Sequence, residues 1–340
     1  MTRNSKGAAT ARLIASTPFW RSEFFPRCFT ETFTMDYPIA PPGMPQHFDV
    51  WETERCFEWM NRTVKRWDVT LEEFYTTPTL ERFWAVGRYS AQVFWGDRDG
   101  AYQSKFFMRM DTKDGKIDYI KLWMDPLGFL RAAGLEVPVF RMDLYDGKVD
   151  EYLASHPGAG APPAAQKKDD YSSLDMSPEA IAQRRQYNLE TNLCGIGREK
   201  YRKLETINPA FSGGAWFIPH EMDQIAHCRI PQRLDGNDFP EGLGARGFAW
   251  TKASSPWMYR DTRSTIFPTD DENVFFIEMH GHGPGRWRGN HCDNGHYHQP
   301  YLLILKLDRA GRILVRDEVL NPINKYNCVN ISIPSFPYYH

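Results

Sequence analysis

The residues of this chain that could do chemistry are concentrated in its C-terminal half: one glutamate, a run of histidines, and a scatter of tryptophans and tyrosines. Glu318 lies in GRILVRDEVLNP. On a strand of period two it shares a face with Leu314, Arg316 and Leu320. If that face lines a dry cavity, desolvation raises the carboxyl pKa and yields an acid or base usable near neutral pH. The competing reading is a strand-end carboxylate paired with Arg316 or Arg312.

His280, His282, His291, His296 and His298 fall within nineteen residues, together with Cys292 and Asp293. Residues two apart share a strand face, so His280/His282 and His296/His298 could line one wall. They could relay protons beside Glu318, hold a metal through three ligands, or simply be surface histidines. No helical HxxxH and no CxxC spacing favours the metal. The catalytic candidates are therefore Glu318, His298 and His280. Trp216, Trp250, Trp257, Tyr297 and Tyr301 are candidate walls of a pocket for a planar substrate, with core packing as the alternative, stronger for Trp257. GHGPGRWRG has no strand-to-helix context for phosphate and reads as a hairpin tip, and no GxSxG nucleophile signature occurs.

The strand bearing Glu318 has a shorter double. KFFMRMDTKDGKIDYIKLWMDP (105–126) and YHQPYLLILKLDRAGRILVRDEVLNP (297–322) share the phrase G-[KR]-I-x6-[ML]-[DN]-P. Each reads as two antiparallel strands around a Gly-containing turn, with proline ending the second strand. Leu122 stands where Glu318 stands, so one module is used twice and only the second copy is ionisable there.

At 340 residues the chain fits two domains. A net charge of -2 leaves no electrostatic footprint for nucleic acid, and no apolar run is long enough to span a membrane. Aromatics at 14%, eleven of them Trp, favour deep apolar cavities or interfaces. Residues 1–17 lack an apolar core for a signal peptide and read as a flexible lead-in. Six scattered cysteines fit a reducing compartment, so a cytoplasmic location is expected.

In chain order, residues 18–26 read as a short helix, and FTMDYPIAPPGMPQHF as a strand and loop over a cavity mouth. Trp51–Trp67 reads as a helix burying Cys56, Phe57, Met60 and Val64. Strands follow at Asp68–Phe74 and Arg82–Phe94, then the first copy of the phrase and a short amphipathic turn. Residues 151–176 are small, Pro/Gly-rich and charged, a linker. Ser177-Pro178-Glu179 opens a helix ended by Gly195. Residues 221–244 have no counterpart in the first half.

Helices followed by a bent antiparallel sheet with a final GRILVRDEVLNP strand resemble the SnoaL-like branch of the nuclear-transport-factor-like superfamily. FTMDYPIAPPGMPQHF and DGKIDYIKLWMDPLGFLRAAG resemble that branch generally. GREKYRKLETINPAFSGGAWF, SSPWMYRDTRSTIFPTDDENVFFIEMHGHG and GHYHQPYLLILKLDRAGRILVRDEVLNP resemble the phenazine-biosynthesis A and B proteins. The resemblance implies an α+β chain of two cystatin-like cones, each a bent antiparallel sheet wrapped around helices, forming an intramolecular pseudo-dimer. It implies a SnoaL-like domain over 18–150 that lacks the glutamate and a catalytic one over 177–340. The family's catalytic glutamate falls on Glu318, and its carboxylate-binding basic residue on Arg202. Where the family has a histidine this chain has Arg246 and Gly247, and a guanidinium cannot relay protons as imidazole does.

The function expected from these resemblances is cofactor-free acid/base condensation, cyclisation or tautomerisation of a small aromatic or cyclic carbonyl or imine, a carboxylic acid among the candidates. No cofactor, metal, nucleic acid or membrane is implied, and a further homodimer stays open. Arg202 and Arg246 would anchor the substrate, with Trp216, Trp250, Tyr297 and Tyr301 as its walls. The alternatives are a dehydratase or isomerase of the same fold and a non-catalytic ligand-binding scaffold.

Overall fold

The structure, a computed structural model, describes residues 3–21, 24–79, 81–137, 154, 171–172, 174–192, 263–283, 286–287, 290–291, 297–321, 323–324, 332–336 and 338. In the first half these form α1 (Arg3–Ala15), α2 (Phe25–Cys28), β1 (Phe29–Asp36), β2 (His47–Phe48), α3 (Val50–Thr63), β3 (Val64–Thr76), β4 (Arg82–Trp95), β5 (Arg98–Lys113), β6 (Lys116–Trp123) and α4 (Pro126–Ala132). After these come α5 (Pro178–Asn192), β7 (Arg263–Pro268), β8 (Val274–Gly283), β9 (Arg286–Trp287), β10 (Asn290–His291), β11 (Tyr297–Leu307) and β12 (Ile313–Leu320). No described helix is long and apolar enough to cross a membrane.

Both copies of the repeated phrase are antiparallel hairpins, β5–β6 and β11–β12. Their turn glycines, Gly115 and Gly311, have φ of 81° and 80°, the left-handed region that glycine enters without steric cost. Each ladder slips register beside its turn, at Asp111/Thr112 and at Lys306/Leu307. A helix grips each turn: Thr10 of α1 donates to the Gly115 carbonyl at 2.8 Å, and Asn188 of α5 to the Gly311 carbonyl at 2.6 Å. A Cβ at Gly311 would stand 2.9 Å from the Ile181 carbonyl oxygen, so close helix approach also demands glycine there.

The proline of the first copy does not end a strand, as the sequence suggested. Pro126 opens α4, and Asp125 caps it by accepting from the Leu127 N–H at 2.9 Å. Asn321 makes the matching 2.9 Å bond to the Ile323 N–H. Proline suits the first helical turn because its missing N–H would have no intrahelical partner.

The first sheet runs β2-β1-β6-β5-β4-β3 and the second β12-β11-β8-β7. The second is antiparallel, but the first is mixed, because β1 joins β6 in parallel, so the expected all-antiparallel sheet is corrected. Residues 3–15 form a helix where the sequence suggested a flexible lead-in. This is α1, whose Ala11, Ile14 and Ala15 are fully buried at helical spacing. A stripe of small residues is a weak signal in sequence, yet Gly7 lets the helix approach Thr112 so closely that a Cβ would lie 2.8 Å from its hydroxyl. Helix α3 is capped by Asp49, which accepts from the Glu52 N–H at 2.8 Å, and buries Cys56, Phe57 and Met60 as expected. It stops at Thr63 rather than Trp67. Val64 already pairs with Val93, and Arg66 at φ 53° sits in a register slip.

The two sheets meet face to face. The Trp84 ring lies flat on Phe276, centroids 4.3 Å apart and planes 6° from parallel. Around this stack Glu278 accepts from Arg109 at 2.5 Å and Lys121 at 2.7 Å, Lys306 pairs with Glu73, and the Asp270 N–H donates to the Thr76 carbonyl at 2.9 Å. Side chains of Glu278, Arg109 and Lys121 are 15%, 13% and 21% exposed, shielded enough that breaking the cluster strands charge. Glu278→Ala is expected to destabilise the chain by about 3 kcal/mol by removing the hydrogen-bonded carboxylate from two shielded cations, with Arg109 keeping only a 3.9 Å approach to Asp111. The shift of the urea unfolding midpoint measures this, and an unchanged midpoint would show the cluster to be energetically idle.

Candidate active site

The alternation of side chains along β8 and β11 divides the second sheet into two chemically distinct faces. One face carries Phe276, Leu302, Ile304 and Val319, which join the core shared with the first sheet. The other carries Ile277, Met279, Tyr301 and Leu303, buried together with Leu189 of α5 and Ile266 packed against them. In the β11–β12 ladder Leu303 is opposite Glu318 and Tyr301 opposite Leu320. Paired positions share a face, so position 318 belongs to the apolar, helix-covered one. Position 297, in register with 299 and 301, belongs to it too.

Arg312, one proposed partner in the strand-end reading of Glu318, pairs with Asp308. It is 1% exposed and donates to Asp308 at 2.7 Å, while the Arg312 and Ala310 N–H groups donate to the other oxygen of the same carboxylate. This pair rigidifies the turn that sets the register of β12.

The histidines separate from Glu318. His280 pairs with Pro300 and His282 with His298, in phase with Glu278 and Leu302. Positions 280, 282 and 298 therefore belong to the face turned toward the first sheet, and the His280 side chain is exposed. Positions 280 and 298 are thus out of phase with position 318 along the pleat. The strand's phase was legible in VFFIEMHGH, but which face met the helix was not. Among the described residues no three His, Cys, Asp or Glu side chains converge as a metal site. Arg202, Arg246, Trp216, Trp250 and Trp257 lie outside the described residues, as do residues 221–244 and 195.

In the first half the equivalent position is aliphatic. Leu122, opposite Met108, is buried with it. Three residues on, however, Asp125 is a buried carboxylate that the sequence reading passed over. Its N–H donates to Ser104 Oγ at 2.9 Å, and its carbonyl accepts from the Tyr102 hydroxyl at 3.0 Å. Desolvation pushes its pKa up to about 6, against the lowering effect of the Gly128 and Leu127 backbone N–H groups and the Arg131 charge. Burial likewise raises Tyr102 and Tyr37 well above the usual phenol range. The signal that could have found Asp125 is the Asp-Pro pair itself, an N-cap followed by proline.

Asp125 gives the protein a definite pH response. Its folded-state pKa lies above the ordinary carboxyl value, so its contribution favours the fold at low pH and is lost as pH rises through about 6. Asp125→Asn keeps the cap, as Asn321 does in the second half, and removes the buried charge. Its thermal midpoint is expected to exceed wild type at pH 8, by up to about 3 kcal/mol of stability for a shift of roughly two units, and to match it near pH 4. A variant destabilised equally at both pH values would show that the charge is not what matters.

No family model matches the chain. The chain is 27% identical over 142 residues to the phenazine biosynthesis protein PhzA of Pseudomonas fluorescens, a stretch covering 41% of this chain and 75% of that protein. It is 33% identical over 90 residues to PhzA1 of Pseudomonas aeruginosa PAO1, covering 25% of this chain and 50% of that protein. Thus the chain spans only about half the length of the latter relative. Among solved structures, a phenazine biosynthesis-related protein from Pseudomonas aeruginosa aligns with TM-score 0.36 at 18% identity, covering 42% of this chain and 93% of that one. A protein described as a SnoaL-like polyketide cyclase from Jannaschia sp. CCS1 aligns with TM-score 0.32 at 14% identity, covering 39% and 94%. The chain is an α+β protein with a mixed sheet, similar in sequence to the PhzA phenazine biosynthesis proteins and with SnoaL-like and NTF2-like proteins as its structural neighbours.

Proposed function

We propose that the chain is a cofactor-free biosynthetic enzyme, a cyclase or isomerase acting on a small aromatic or cyclic carbonyl or imine, with Glu318 as its proton shuttle. The reading rests on one observation: position 318 is opposite Leu303, on the face that Ile277, Met279, Tyr301 and Leu189 make apolar. A carboxyl group desolvated there would be held near neutrality and could act as either acid or base. As carboxylate it would take a proton from the carbon beside a carbonyl, and as acid it would return that proton to another atom, completing a tautomerisation. In a condensation the acid form would protonate the departing hydroxyl, so that water leaves and the new C=N bond forms.

Tyr301 and Tyr297 would wall the substrate, with Trp216 and Trp250 as further walls. Arg202 or Arg246 would anchor a substrate carboxylate. Similarity to the PhzA proteins supports a role in natural-product biosynthesis of the phenazine kind. A dehydratase would want a histidine within reach of the carboxylate, and the phase of His280 and His298 counts against it.

The two halves are read as a tandem duplication closed into an internal pseudo-dimer. Supporting this are the paired hairpins with left-handed glycines, the register slip beside each turn, the helix gripping each turn, and the matching caps at Asp125 and Asn321. The first half, with Leu122 in place of the glutamate, would support the second.

Deuterium incorporation from D2O into a panel of cyclic keto acids, followed by proton NMR, tests the proposal. Glu318→Gln is expected to slow exchange by roughly 10²–10⁴-fold while leaving the melting temperature unchanged. Equal exchange in variant and wild type would remove Glu318 from the mechanism. Binding of the keto acids with no exchange in either protein would favour a carrier.

A further inference from the structure

The last described residues of the chain return to the first half. Phe336 and Tyr338 are 1% and 4% exposed. The Phe336 ring sits among Trp59 of α3 (centroids 5.2 Å), Trp95 at the end of β4 (5.1 Å) and Phe129 of α4 (5.4 Å). Tyr338 packs edge-on against Trp59 (5.4 Å) and Phe48 of β2 (6.4 Å), with its hydroxyl beside the buried Cys56 thiol. The segment is stitched down by the Phe336 N–H donating to the Pro42 carbonyl at 2.5 Å. Gly43, at φ 91°, has no room for a Cβ, which would overlap the Phe336 carbonyl oxygen. The loop around Gly43 is thus shaped to receive this tail.

The tail leaves this aromatic box chemically incomplete. Trp59 is 8% exposed, and its Nε1–H is buried without a hydrogen-bond partner among the described residues. Thr53, fully buried one turn before Cys56 on α3, likewise has its hydroxyl oxygen without a partner. Leaving such buried groups unmet is unfavourable. A flat ring bearing a carboxylate or carbonyl would fill the same space as Phe336 and supply the acceptor.

We propose that the first half contains an aromatic-acid binding site, walled by Trp59, Trp95, Phe129 and Phe48, that the chain's own Phe336 and Tyr338 occupy as a tethered, displaceable plug. A tethered occupant acts at a high effective concentration, so a free ligand meets an affinity reduced by the small fraction of open sites. This site is separate from Glu318 and does not depend on the chemistry assigned to it.

Removal of residues 332–340, with 1-naphthoate as the probe in calorimetric titrations, tests the proposal. The shortened chain is expected to unfold cooperatively and to bind 1-naphthoate at least tenfold more tightly than the intact chain, roughly the gain from deleting a tethered competitor. A free peptide of sequence SIPSFPYYH should reverse that gain, and Trp59→Phe in the shortened chain should lose affinity about fivefold through the missing donor. Three results would overturn it: a shortened chain that binds no more tightly, a gain the peptide does not reverse, or loss of cooperative folding, which would make the tail core rather than plug.

Discussion

The pairing of β11 with β12 is the constraint from which the functional account follows. A strand's side chains alternate, so a slip of one residue would carry position 318 from the helix-covered face to the face shared with the first sheet. The structure guards against that slip at the turn. Gly311 adopts a conformation costly for other residues, Asp308 gathers three donors around the turn, and α5 reaches in through Arg184 to the Ala310 carbonyl and Asn188 to the Gly311 carbonyl. Arg184 and Asn188 are buried polar residues on a helix of otherwise modest amphipathic character, and their role is to hold one turn in one register.

The second constraint is the meeting of the two sheets, which assigns the opposite face. Trp84 stacked on Phe276 and Glu278 clamped by Arg109 and Lys121 make this phase of β8 the one that meets the first half. Positions 280 and 282 continue that phase, and position 318 is in the other. The ionic cluster extends into the first half, where Arg109 lies over the Tyr119 ring and Tyr119 donates to Asp36, which also bonds His47. The halves are therefore joined by packed rings at the centre and charge around them, the arrangement that gives an interface both area and a fixed orientation.

How much of this was legible in the sequence depended on which interactions are local. The hairpins could be seen because a turn glycine and flanking alternation are short-range signals, and β4 was bounded to within a residue for the same reason. The helix at Trp51–Trp67 was found but overrun, because the switch to strand at Val64 is decided by pairing with Val93 on a distant strand. Helix α1 was missed because its buried stripe is Ala11, Ile14 and Ala15, residues whose burial depends on a sheet more than sixty residues away. The Asp-Pro and Asn-Pro pairs read in sequence as strand ends, whereas in the structure Asp125 and Asn321 act as caps. The phase of His280 and His282 can be counted along one strand, whereas the face that phase turns to the first half cannot. The seat of Phe336 in the first half left no trace in the sequence at all.

The central claim is that the carboxyl group of Glu318 is desolvated, and its titration tests that most directly. With glutamate labelled by ¹³C at the side-chain carboxyl, the resonance missing from Glu318→Gln can be followed against pH. The account predicts a midpoint shifted clearly above the ordinary glutamate value of about 4.3, toward neutrality. A midpoint at or below that ordinary value would mean a solvated or ion-paired carboxylate and would contradict it.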